Sequence, residues 1–225
     1  MIKILSVKTR REDTPRDAFR RHYEERHVPL GLGFIDRFRW RKYARNHVVA
    51  VHFGRADFDC LTEFWVASRA DQESTRAFAL EPGFHVLDED DARFLDIGRR
   101  FSCELEELML SGTRAAVDPP GTRRLTAIFA RPEASDPAQF ARGLEAEIRG
   151  GAWSGLMGAA PAARVALDLR VSDEPRPNDF AALASVWSAP GGTLPRFDWK
   201  GEHHPVGVVE LEVVETPASA LFAPA

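Results

Sequence analysis

Cysteine is scarce in this chain: Cys60 and Cys103 are its only two in 225 residues. Neither belongs to a CxxC pair or a ligand-like spacing, so the sequence supports neither a disulfide framework nor a zinc site. Both thiols sit in apolar, strand-like runs and are expected to be buried in a reducing compartment. Long hydrophobic runs are missing as well. No stretch is long enough to span a bilayer, and the apolar part of MIKILSVKTR is too short for a signal peptide, so no membrane partner is expected and a cytoplasmic location is. An excess of one charge is also lacking. Net charge is −4 with both signs interspersed, and basic residues cluster only from Arg37 to Lys42, which argues against a nucleic-acid partner.

What is present suffices for one large or two small domains. Ile2 to Lys8 reads as a strand, Thr14 as a helix cap and Pro15 as a first helical residue. Phe19, Tyr23, His27 and Leu30 then recur at helical spacing, until Pro29 disfavours helical geometry at Val28. The helix is expected to end near His27. Arg39 to Val51 and Phe58 to Val66 alternate as an antiparallel strand pair around a loop containing Gly54. Ser68 to Leu80 reads as a helix, VLDEDDARFLD as a short helix or turn, and Arg100 to Leu110 as a strand. DEDDAR, Asp88 to Arg93, lacks the glycine and closing glutamate of a calcium loop and reads as a solvated helix start. The order is βαββαβ, the ferredoxin-like arrangement of an α+β protein.

Gly112 to Gly121 has the composition of a linker, after which the pattern restarts as an internal duplication. LTAIFAR echoes ILSVKTR, SDPAQF echoes the first helix start, and FAALASVW repeats the Phe-to-Trp spacing of FDCLTEFW. The expected domains are residues 1–111, carrying the site, and a degenerate repeat at 122–225. In that repeat the Gly- and Pro-rich APGGTLPRF replaces the second helix. The tail from Thr216 is expected to be loose or draped over the surface, and EHHP, Glu202 to Pro205, to be exposed.

The duplication allows an internal comparison. Tyr23 falls opposite Leu144, His27 opposite Ile148, Asp59 opposite Ala181 and Glu63 opposite Ser185, so the first half carries polar groups where the fold accepts apolar or small ones. If the strand face of Asp59, Glu63 and Trp65 is the helix-covered one, a cavity collects His27, Tyr23, Glu63 and Trp65. A histidine beside a carboxylate is a common acid/base arrangement. Glu63 has another reading, as the ion-pair partner of Arg39, Arg41 or Arg45. His22 lies about 140° from His27 around a regular helix, which argues against a shared metal unless the helix is distorted before Pro29.

FRRHYEERHVPL, RKYARNHV, FDCLTEFWV and DEDDARFLD, in that order, resemble EthD-like members of the dimeric α/β-barrel superfamily. The resemblance implies two tandem ferredoxin-like βαββαβ repeats forming an intramolecular α/β-barrel, a pseudo-dimer that leaves further homodimer formation open. It also implies cofactor-independent chemistry on a small aromatic or polyketide-like substrate: decarboxylation, dehydration, cyclisation or isomerisation. His27 becomes the acid/base, with Glu63 and Tyr23 beside it. His22, Tyr43, Asn46, His47, Asp59, Trp65 and Phe94 are the remaining pocket candidates. No metal or cofactor is expected. Oxygen-dependent or haem-dependent oxidation, with His27 as axial ligand, is an alternative, and a non-catalytic small-molecule binder is another.

Overall fold

The computed structural model describes residues 1–153, 164–172 and 180–223. The fold is α+β. Strand β1, Ile2–Lys8, leads into helix α1, Arg16–His22, which Pro15 precedes. The helix does not stop at His27. One wide turn, Tyr23–His27, is inserted, in which the Val28 N–H bonds the Tyr23 carbonyl five residues back. Helix α2, Val28–Leu32, follows, with Pro29 in its first turn. The wide turn explains why proline is tolerated there: Pro29 opens a new α segment, where a missing N–H costs little.

A short helix α3, Ile35–Phe38, ends at Arg39 in the left-handed region with φ 55°, which turns the chain into β2, Lys42–Gly54. Strand β3, Cys60–Val66, pairs antiparallel with both β1 and β2, so that Thr62 sits opposite Ser6 on one side and Arg45 on the other. Helix α4, Arg69–Phe78, is capped by Ser68, whose hydroxyl accepts from the Asp71 N–H. Helix α5, His85–Phe94, and strand β4, Phe101–Ser111, complete the βαββαβ order.

The later elements are β5 (Arg123–Phe129), α6 (Pro137–Arg149), β6 (Arg164–Arg170), β7 (Ala182–Ser188) and β8 (Gly207–Glu215). Their sheet order with β4 is β8-β5-β7-β6-β4. APGGTLPRF, between β7 and β8, holds no helix. The chain divides into two compact units: residues 1–47, 57–104 and 215–225 form one, and residues 48–56 and 105–214 the other.

Each unit buries its own helix stripe. In the first, Phe19, Tyr23 and Phe94 join Phe38, Trp40 and Tyr43 in one core. In the second, Phe140, Leu144 and Ile148 of α6 pack on Leu125, Phe129, Leu167 and Ala184 of the sheet. The tail belongs to the first core: Leu221 is buried there and the Phe222 N–H bonds the Trp40 carbonyl. Residues 224 and 225 lie outside the described residues. Each unit also repeats one cross-strand detail. Trp65 faces Lys3 at 5.2 Å and Lys42 at 5.6 Å, while Trp187 faces Arg124 at 4.5 Å and Arg164 at 4.0 Å. In every case the cation is the tryptophan's register partner.

Candidate functional site

The strand register decides which side chains meet the helices. Tyr23 reaches Thr62, hydroxyl to hydroxyl, at 2.6 Å, so the covered face is that of Cys60, Thr62 and Phe64, with Ile4, Ser6 and Lys8 on β1 and Tyr43, Arg45 and His47 on β2. Between this face and the helices lies a cavity of about 480 Å³. Phe38, Trp40, Tyr43, Phe64 and Phe84 supply apolar lining, and Lys8, Tyr23, His27, Asp91 and Arg100 supply polar groups.

The wide turn sets the position of His27. An i to i+5 turn brings residues five apart toward one side, and His22 and His27 both reach Asp90 of α5. His22 Nε2 lies 3.0 Å from Asp90 Oδ1, and His27 Nδ1 lies 3.0 Å from Asp90 Oδ2. His27 Nε2 then faces Asp91 Oδ1 at 3.5 Å. Asp91 Oδ2 is bonded by Arg100 and has Lys8 Nζ at 3.8 Å. Rings close the surroundings, with Tyr23 at 5.3 Å and Phe94 at 5.4 Å from His27.

These neighbours set the protonation states. Burial holds His27 below the ordinary imidazole value; Lys8 adds to this, while Asp91 and Asp90 oppose it. Burial would raise the Asp91 carboxyl, but Lys8, His27 and Arg100 outweigh it and the net shift is downward. Burial lowers the Lys8 ammonium and pushes the Tyr23 phenol well above its usual value. The site therefore presents a neutral imidazole, a carboxylate and a protonated phenol near neutral pH.

A second polar cluster anchors the wide turn. Glu24 accepts from Arg45 Nη2 at 2.8 Å and lies 2.6 Å from His47 Nε2. Burial works against the charge on His47, but Cys60 and Glu24 outweigh it and the imidazole is pushed up to about 9. Glu24 itself is lowered, because His47 and Arg45 overcome the burial that would raise it.

The helix that bears His27, the strands beneath it and α5 form one contiguous stretch, and its sequence matches the EthD domain family from residue 11 to residue 98. The match spans 88 of the chain's 225 residues. No curated protein matches the chain significantly. Among solved structures, a provisionally named monooxygenase from Lactobacillus acidophilus NCFM is 8% identical, with 96% of each chain covered and a TM-score of 0.48. An anthrone oxidase-like protein is 12% identical over 95% of this chain and 92% of its own, with a TM-score of 0.47. Likenesses this remote carry no argument about chemistry.

Within the matched stretch the expected site residues separate. His27, Tyr23 and Tyr43 line the cavity. His22 and Phe94 stand behind it, in ring contact at 4.6 Å. His47 faces the helices but is engaged by Glu24. Glu63, Trp65 and Asn46 are on the opposite strand face, which corrects the assumption that theirs was the covered one. Glu63 pairs with Lys3 at 3.0 Å, on the strand face away from His27. Asn46 donates to the Leu61 carbonyl. Asp59 is held by Arg10 and Arg16.

Four residues escaped the sequence reading: Lys8, Asp90, Asp91 and Arg100. DEDDAR is not simply a solvated helix start, because Asp90 is 6% and Asp91 4% exposed. The available signal was periodic. Leu87, Asp90, Asp91 and Phe94 are spaced as one buried stripe of α5. Cys103 is only partly buried and lines the cavity. His203 of the EHHP loop is half-buried, bonded to Glu147 at 2.6 Å. No group of three or more metal-ligating side chains, and no helix long and apolar enough to cross a membrane, occurs among the described residues.

Proposed function

We propose that this protein is an enzyme that moves a proton at an activated carbon of a small aromatic or polyketide-like compound, with His27 as the base. The observation that carries this is His27 itself: a ring lining an aromatic-walled cavity, held neutral by burial, with its Nδ1 fixed by Asp90. With Nδ1–H donated to that carboxylate, Nε2 keeps its lone pair to take a proton from substrate, and Asp90 stabilises the imidazolium that forms. Tyr23, kept protonated by burial, and Lys8 are cavity-lining donors for the oxyanion of an enolate. Dehydration, ring closure and isomerisation begin with that proton abstraction; in decarboxylation the enolate forms as the bond to the leaving carbon dioxide breaks, and its carbon then gains a proton. The repeated tryptophan and cation arrangement supports a tandem duplication with the chemistry in the first repeat, since Leu144 and Ile148, which the sequence comparison sets opposite Tyr23 and His27, are buried apolar residues of the second core.

An axial haem ligand is a poor fit for His27. Iron bonded to Nε2 would sit against Asp91 Oδ1, only 3.5 Å away. A Soret band in the purified protein would overturn that judgement.

The test is a screen of β-keto acids and hydroxyaromatic acids for carbon dioxide release, isomerisation or ring closure, with dissolved oxygen followed in the same samples. Turnover that falls by about a hundredfold or more in His27→Gln is expected. Turnover insensitive to that substitution sinks the reading. Turnover that consumes oxygen moves the chemistry to oxidation.

A further inference from the structure

Asp91 is 4% exposed, lines the cavity, and divides its two oxygens between different tasks. Oδ2 takes the cations, bonded by Arg100 and with Lys8 Nζ at 3.8 Å. Oδ1 has no hydrogen-bond partner, and His27 Nε2, at 3.5 Å, falls outside hydrogen-bond geometry. A buried acceptor without a donor is costly, and a ligand that brings a donor recovers that cost.

We propose that Asp91 determines specificity in this cavity and selects planar ligands that carry a neutral hydroxyl. The inference rests on the cavity being the ligand site, as in the proposed function. Charge narrows the donor. An amine would meet Lys8 and Arg100, and a carboxylate would meet Asp88 and Asp91, so a neutral O–H suits the position better than either ion. Shape narrows the carrier. Tyr43 and Phe64 stack at 5.0 Å and 16°, and Phe38 and Trp40 at 4.2 Å and 5°, giving flat walls suited to a planar ring. The O–H to carboxylate bond is of the strong, charge-assisted kind.

The experiment is calorimetric titration of the parent and of Asp91→Asn with 2-naphthol and with 2-methoxynaphthalene, a pair of like shape that differs in the donor. The parent is expected to bind the naphthol about tenfold or more tightly than the ether, and Asp91→Asn to reduce that preference below about threefold. Should Asp91→Asn not fold, a crystal of the parent soaked with 2-naphthol decides: the hydroxyl oxygen is expected within about 3 Å of Asp91 Oδ1. Equal affinity for the two probes, a preference untouched by Asp91→Asn, or a hydroxyl pointed elsewhere overturns the inference while leaving the cavity as a ligand site. Failure of both probes to bind removes the cavity reading and the inference together.

Discussion

Asp90 holds two histidines of one helix at once, His22 through Oδ1 and His27 through Oδ2, each at 3.0 Å. Residues five apart on a regular α-helix diverge by about 140°. The wide turn between Tyr23 and His27 removes that divergence, and the buried carboxylate on α5 takes both rings. The turn is thus tied to the site: it carries the chain past Pro29 as helix and aims His27 into the cavity.

Replacing that carboxylate tests whether it fixes the imidazole. Asp90→Asn is expected to convert His27 from the Nδ1–H tautomer to a mixture, read from the ring nitrogen resonances in NMR. The melting point should fall by roughly 5 °C, as two hydrogen bonds to a charged group are weakened. An unchanged tautomer would assign the orientation of His27 to ring packing instead.

His47 gives a pH dependence of definite sign. Its folded value, pushed up to about 9, lies above the unfolded value of about 6.5. The stabilisation is therefore complete below about 6.5 and is lost as pH rises through about 9, on the order of 3 kcal/mol in all. Chemical denaturation of the parent should show this decline, and His47→Gln should flatten it. A parent whose stability is level across that range would show that Glu24 does not hold His47 charged.

The stripe from Phe19 through Tyr23 to His27 was legible because helical spacing and the comparison with Phe140, Leu144 and Ile148 need only local sequence. The strand residues were not. Asp59, Glu63 and Trp65 alternate as a strand should, but which face the helices cover depends on contacts such as Tyr23 with Thr62, far apart in sequence. Asp90 and Asp91 were obscured by composition. An acidic run suggests solvent, whereas the three- and four-residue spacing from Leu87 to Phe94 marks a buried stripe. The wide turn has no comparable signature, since Pro29 reads equally well as a helix end.

Glu63 separates stability from binding. It is 3% exposed and paired with Lys3 on the face away from the cavity. Glu63→Gln weakens a buried ion pair and should cost about 3 kcal/mol, seen in denaturant titration. Affinity for 2-naphthol should stay within about twofold of the parent. A large loss of affinity with little loss of stability would restore Glu63 to the site.

The charges around His27 make two substitutions act in opposite directions. Lys8 lowers the pH at which His27 titrates and Asp91 raises it. Lys8→Met removes a cation, so His27 should gain its proton at a higher pH than in the parent. Asp91→Asn removes an anion, so it should gain it at a lower one. Overpacking or loosening of the cavity would alter burial and shift both variants without this opposition, so the contrast in sign identifies the electrostatic coupling. Ring-proton NMR titration of the parent and both variants measures it. His27 titrating at one common pH in all three would place Lys8 and Asp91 outside its effective field and leave burial as the main control of the base.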